Sequence, residues 1–229
     1  MRKLAFAVAV IAAAASARAE GDGVSLSLRA GVGSGVGKVA GNTGASSMGD
    51  LYDATIPLWF EAGYRFNPSW SLGVYGQYAF APVAGSAENS LRQAFNGLTV
   101  RDVSGRVLRL GVESAYKFQP KAAFAPWIGL GFGYEWAEIG FNVTDGTNTG
   151  DASETLKGFD LMLQAGGDYR VSPSFTVGPF VAFTFGWYSR AEVSASALGQ
   201  SASQGVDIDN KSLHNWLQAG IRGTFELGR

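Results

Sequence analysis

The chain of 229 residues has no cysteine and one histidine, His214. Without cysteine there is no disulfide framework, no thiolate nucleophile and no thiolate metal site. A single imidazole excludes any centre that needs two. Charge is scarce too: Asp, Glu, Lys and Arg make up 16% of the residues, against about 25% in an ordinary soluble domain. No apolar run approaches the ~18 residues of a membrane-spanning helix. Abundance lies elsewhere, in 32 glycines and 13% aromatic residues. That aromatic content excludes a disordered chain, and the glycines lack the three-residue period of collagen.

At the N-terminus, Arg2 and Lys3 precede an apolar run over residues 4–15, and Ala17-Arg18-Ala19 follows with small residues at the −3 and −1 positions of a cleavage site. This order predicts a secretory signal peptide over 1–19, cleaved before Glu20, and a single domain over 20–229. The signal removes three of the 18 basic residues, so the mature charge is 15 − 19 = −4. Export and weak acidity together argue against a nucleic-acid partner.

Beyond Glu20 the dominant pattern is strict alternation. In residues 124–136, Phe124, Pro126, Ile128, Leu130, Phe132, Tyr134 and Trp136 occupy one parity, while Trp127, Gly129, Gly131, Gly133 and Glu135 occupy the other. Period two places the two sets on opposite faces of a strand. Segments 24–32, 58–66, 70–80, 108–118, 159–171, 175–187 and 213–227 alternate in the same way, which gives eight strands and no helix. A repeat ties them together: Tyr64-Arg65-Phe66-Asn67-Pro68-Ser69-Trp70 returns as Tyr116-Lys117-Phe118-Gln119-Pro120-Lys121 and as Tyr169-Arg170-Val171-Ser172-Pro173-Ser174-Phe175. Proline fixes the backbone of each tight turn. The remaining connections, 38–53, 81–104, 142–155 and 191–210, are long and polar and are expected to be loops. Short turns alternating with long loops describe an all-β, antiparallel, up-and-down barrel of eight strands.

Two barrels fit, one with apolar side chains inside and one with them outside against lipid. Three features favour the second. Most segments reach the ~9–11 residues that a tilted strand needs to cross a bilayer. Aromatics cluster near both strand ends, as in Trp70 and Phe80, Phe124 and Tyr134, Phe175 and Phe185. Their spacing spans roughly the ~25 Å apolar band of a membrane barrel. The polar face carries Gly63, Gly73, Gly111, Gly129, Gly131, Gly133, Gly166, Gly178 and Gly220, which suit a narrow lumen rather than a solvated exterior. The expected fold is therefore a transmembrane β-barrel, with a secreted soluble barrel as the alternative. Pro126 and Pro179 fall inside strands, and a bulge or lumen water is expected at Pro179, because proline removes a ladder donor.

The signal segment, the eight dyad strands, the proline turns and the terminal stretch Gln218-Ala219-Gly220-Ile221-Arg222-Gly223-Thr224-Phe225 resemble the small eight-stranded outer-membrane barrels of Gram-negative bacteria, the OmpA/OmpX type. The resemblance implies a location in the outer membrane, contact with outer-membrane lipid and lipopolysaccharide, and recognition of the last strand by the barrel-assembly machinery. It implies no cofactor. Nothing in the sequence demands an oligomer, so a monomer is expected.

The candidate site is the set of charges on the polar face. Arg29, Arg65, Arg109, Lys117, Arg170 and Arg222 would share the lumen with Glu61, Glu113, Glu135, Asp160, Asp168 and Glu226. Unpaired charges in a narrow lumen are costly, so pairs are expected. They form either a static plug or a gate or selectivity ring. The repeat places Arg65, Lys117, Arg170 and Arg222 at one level near the short-turn mouth. Other constellations are weaker. Ser212 and His214 share a face, but no GxSxG elbow or orienting acid accompanies them. The stretch from Gly31 to Lys38 lacks the phosphate-loop spacing. Asp145, Asn148, Asp151 and Glu154 lack calcium-loop spacing. The function expected is structural or surface-interacting, through the long loops over a plugged lumen, without enzymatic chemistry. A narrow pore is the alternative and a lipid-modifying enzyme a distant one.

Overall fold

The computed structural model describes residues 23–198 and 200–227; the expected signal segment and its cleavage site lie outside them. The strands are β1 (Gly23–Gly37), β2 (Ile56–Arg65), β3 (Trp70–Phe80), β4 (Thr99–Lys117), β5 (Phe124–Thr144), β6 (Thr149–Ser172), β7 (Phe175–Ala197), β8 (Gln200–Asp207) and β9 (His214–Leu227). Two short helices, α1 (Met48–Leu51) and α2 (Gly85–Ala94), lie in the first two long connections. Strands β1 to β7 pair antiparallel in chain order, and β9 pairs with both β7 and β1. That last strand closes a ring of eight. The short strand β8 stands off the ring, paired along the outer half of β7 from Arg190↔Asp207 to Ala197↔Gln200.

Burial is inverted relative to a soluble protein. Leu28, Val32, Phe60, Leu72, Val74, Leu110, Val112, Leu130, Leu163, Leu217 and Ile221 all point outward and are exposed. Arg29, Arg109, Glu135 and Asp160 are buried inside. Apolar exteriors of this extent are stable only against lipid, since each large side chain left in water forfeits about 1.5–3 kcal/mol of burial. Aromatics bound the band at both ends. At the short-turn end Trp70 packs on Tyr116 (5.0 Å between ring centroids), Phe124 on Tyr169 (4.6 Å) and Phe175 on Phe225 (4.6 Å). At the far end Tyr134 packs on Trp136 (4.7 Å) and on Phe159 (4.9 Å), and Tyr78 on Phe80 (5.0 Å). These are the girdles expected at two lipid–water boundaries.

The segments expected as long loops are more ordered than their polarity suggests. Residues 142–155 form the tip of a hairpin, because β5 and β6 stay paired up to Thr144↔Thr149. Residues 191–210 hold the end of β7 and all of β8. Strands β5, β6 and β7 thus run to 21, 24 and 23 residues, twice what a bilayer crossing needs. Ser, Ala, Gly and Thr dominate these extensions, and such residues blur the apolar–polar contrast by which alternation is recognised. The absence of helices, expected from the sequence, is corrected by α1 and α2. The first is a single turn. Its N-cap, Ser47, forms a capping box with Asp50, on a Ser-x-x-Asp spacing that only a single helical turn follows.

The bulge expected at Pro179 is absent. Pro179 pairs in register with Ile221 on β9. On the β6 side the ladder passes from Gly166↔Phe180 to Tyr169↔Val177 with no shift, skipping Gly178 and Pro179. The missing proline donor is absorbed by that gap, where a Cβ on Gly178 would lie 1.7 Å from the Gly167 carbonyl oxygen. Register shifts occur instead at Arg101/Ser104, Lys157/Gly158 and Arg170/Ser172.

Candidate functional site: a filled lumen under an outer cap

Inward parity brings polar side chains from all eight ring strands into three tiers. The lowest lies near the short turns. Arg65 pairs with Glu226 (2.8 Å), Lys117 reaches Asp168 (3.0 Å) and Glu226 (3.8 Å), and Arg222 grips Asp168 through both carboxylate oxygens (3.0 and 2.8 Å). The Arg222 guanidinium lies 3.8 Å from the Trp127 ring centroid, and the Trp127 indole N–H donates to Asp168 (3.1 Å). A small vestibule of about 70 Å³ opens beside this tier, bordered by Arg65, Lys117 and Glu226.

Above it, Arg29 is shared by Glu61 and Glu113, and Gln164 bridges the set by accepting from Arg29 and donating to Glu113 (2.8 Å). The Arg29 guanidinium sits among Trp59, Trp127 and Phe180, at 4.9, 5.4 and 5.1 Å from their rings. Trp59, Tyr75, Trp127, Met162, Phe180 and Ala182 make a buried apolar layer at this height. Glycine provides the room. A Cβ on Gly133 would fall 2.3 Å from the Tyr75 hydroxyl, and one on Gly166 would fall 2.5 Å from the Trp127 ring.

The upper tier centres on Glu135. Arg109 donates to its Oε2 (2.6 Å from Nε) and contacts Gln77 (2.8 Å) and Asp160 (3.5 Å). The other oxygen, Oε1, accepts from the Tyr188 hydroxyl and from the Trp216 indole N–H (3.3 Å), and His214 Nε2 lies 3.3 Å away. His214 stacks on Tyr188 at 3.8 Å, nearly parallel. Buried charges of this kind hold only when paired and hydrogen-bonded on every side.

A conventional hydrophobic core then covers the outer mouth. Met48, Tyr52, Ala79, Ala81, Val107, Ala137, Ile139, Leu156, Tyr188 and Trp216 are buried together, with Leu51, Val83, Leu91 and Ile208 packed against them. Tyr188 and Trp216 belong to both cap and upper tier.

Of the residues expected to line the lumen, eleven enter these networks: Arg29, Glu61, Arg65, Arg109, Glu113, Lys117, Glu135, Asp160, Asp168, Arg222 and Glu226. Arg170 stands apart. Its guanidinium donates to the Pro120 carbonyl (2.6 Å) at the rim, beside the register shift that ends β6, so the four repeated bases do not form one ring. Gln77, Gln164, Tyr75, Tyr188 and Trp216 are members that charge alone does not flag. Tyr188 is within reach of the sequence, since it continues the inward parity of Thr184. The expectation that no acid accompanies His214 is corrected: its Nε2 lies 3.3 Å from Glu135, a neighbour brought in from another strand. Among the described residues, no group of three or more His, Asp or Glu is placed to hold a metal ion, and no helix is long and apolar enough to cross a membrane.

The chain is similar to three solved outer-membrane structures. A major outer membrane protein from Thermus thermophilus is 10% identical, covering 91% of this chain and 100% of its own, with a TM-score of 0.55. OprG from Pseudomonas aeruginosa is 15% identical over 91% and 98%, at 0.49. Neisserial surface protein A is 14% identical over 89% and 98%, at 0.46. At such identities the likeness to the Thermus protein is one of fold. No curated protein sequence matches the chain. The family model described as the outer membrane protein beta-barrel domain matches residues 4–179, more than half of the sequence. With its closed ring, apolar exterior and aromatic girdles, the chain belongs to the outer-membrane β-barrel protein family.

Proposed function

We propose that this outer-membrane barrel is a closed anchor whose working surface is the outer extension of β4 to β8 with the cap beneath it. The carrying observation is the filled lumen: Trp59, Trp127, Trp216, Arg29, Arg109, Glu135 and Tyr188 are all buried within it. An eight-stranded ring leaves space for side chains and little else. On this reading the protein is exported by cleavage before Glu20, and residues 20–229 form the barrel domain. It is inserted as a monomer by the barrel-assembly machinery and surrounded by outer-membrane lipid and lipopolysaccharide. It carries no enzymatic chemistry and binds no nucleic acid.

The test is planar-bilayer conductance of refolded protein whose gel mobility changes on boiling. Inserted protein with no steady current is the expected result. A steady ohmic current would overturn the closed reading in favour of a narrow pore, with Arg65, Lys117 and Arg222 first in line for its selectivity.

A further inference from the structure

The connection between β1 and β2 does more than span two strands. Val39 bonds back to Ser46 and Lys38 bridges to Ser47, so the segment folds on itself before α1. From there it crosses the mouth. Met48 is fully buried, and a Cβ on Gly35 of β1 would come within 2.9 Å of its Cβ. Tyr52, 3% exposed, lies over Gly105 of β4, where an added Cβ would meet its ring at 3.0 Å. Each anchor therefore occupies a hollow that a glycine leaves in the barrel wall. Leu51 and Asp50 are tied to the neighbouring connection through Ala84 N–H to Leu51 O (2.9 Å) and Ser86 Oγ to Asp50 O (2.9 Å).

Beneath this segment Trp216 faces both ways. Its ring packs on Tyr52 (6.0 Å between centroids), and its indole N–H donates to Glu135 (3.3 Å). Tyr188 makes the same double contact, buried in the cap and donating to the same oxygen of Glu135. One carboxylate thus holds, through two donors, the floor on which the segment rests, while Arg109 fixes its other oxygen.

We propose that the segment 38–55 is a lid over the outer mouth and that Glu135 is its latch: loss of the carboxylate's charge frees Trp216 and Tyr188 and unseats α1 while the barrel below stays closed. The inference goes beyond the anchor reading, because it gives the outer mouth a second, open state.

The absence of native cysteine makes the test clean. Met48→Cys places a single thiol under the lid, and Ala182→Cys places one in the apolar layer of the lumen. Each is refolded in vesicles and treated from outside with a membrane-impermeant maleimide. With Glu135 intact both thiols react slowly. In the Glu135→Gln background, where Asp160 remains as the acid beside Arg109 (3.5 Å), the rate at Met48→Cys is expected to rise about tenfold or more, as for the loss of a charge-assisted hydrogen bond, while the rate at Ala182→Cys does not change. Tyr188→Phe, which removes one of the two donors and keeps the ring, is expected to give a smaller rise. An unchanged rate at Met48→Cys in Glu135→Gln overturns the latch. A parallel rise at Ala182→Cys overturns it too, because the barrel as a whole has then loosened. The thiol readout is independent of ion current, so a conducting wild-type barrel would defeat the anchor reading without deciding the fate of the lid.

Discussion

Strands β5, β6 and β7 pass through two environments, and their side chains change sides at the boundary. Below Trp136, Phe159 and Trp187, outward positions carry Leu130, Phe132, Leu161, Leu163, Val181 and Phe183, and inward ones carry Glu135, Asp160, Gln164 and Thr184. Above them, the outward face shows Glu138, Asn142, Asp151, Ser153 and Ser194, while Ile139, Phe141 and Leu156 turn inward and are buried. The strands stay antiparallel in both regions, and on β7 a register shift at the boundary reverses the parity of its side chains. Solvent differs: lipid rewards an apolar exterior, and water rewards an apolar interior. Three cross-strand ion pairs mark the watery side: Arg106–Glu138 (2.9 Å), Lys157–Glu192 (2.6 Å) and Arg190–Asp207 (3.6 Å). The lesson is that burial alone does not define a core in this fold. The polar lumen and the apolar cap are both buried, and each is stabilised by a different interaction.

The largest effect should come from breaking the polar interior. Arg109→Met leaves Glu135 and Asp160 buried without their shared cation, and removal of one partner from such a network costs about 3–5 kcal/mol. Urea unfolding in vesicles, followed by the shift in gel mobility, should show the midpoint fall sharply or the folded band disappear. The next test takes one face of β6 across the boundary. Leu163→Arg, against lipid, should cost about 2–4 kcal/mol. Ser153→Arg, on the same face above the girdle, should cost less than about 0.5 kcal/mol. Equal costs in the same unfolding assay would dissolve the boundary drawn between the two regions.

Most of the membrane-level barrel was legible in the sequence, because lipid enforces a sharp contrast between alternate residues. The parity of Leu108, Leu110 and Val112 against Arg109 and Glu113 could be read directly and fixed which charges face inward. Their partners could not. Arg109 meets Glu135 on the next strand, but Arg222 meets Asp168 two strands away around the ring, and Arg29 reaches Gln164 across the lumen. Those choices depend on how the strands stagger when the ring closes, which alternation leaves undetermined. Arg170 shows the limit of the repeat: equal spacing in sequence did not survive the register shift at the end of β6. Above the girdle, Ser, Ala and Gly carry little contrast, so the extension and β8 looked like loops.

The smallest expected effect lies at the far tip of the extension, where the β5–β6 hairpin turns at Asp145 and Gly146. Gly146 takes φ +95°, and the Asp145 carboxylate accepts from the backbone N–H groups of Asn148 (2.7 Å) and Thr147 (2.8 Å). These donors hold the carboxyl below its usual value of 3.8. A depressed folded value means that the contribution is complete above the unfolded value and fades as the pH falls through the folded one. Protection of the Thr147 and Asn148 amides, taken as exchange relative to the intrinsic rate at each pH, should therefore be complete at neutral pH and fade as the pH falls below about 4, the ordinary carboxylate value. Asp145→Ala should abolish that protection at every pH. Neither change should move the urea midpoint of the barrel, because the side chain is solvent-exposed and the tip opens locally, independent of the ring below. A global shift would mean instead that the extension and the membrane barrel fold as one unit, and that the two environments of β5 to β7 are energetically coupled.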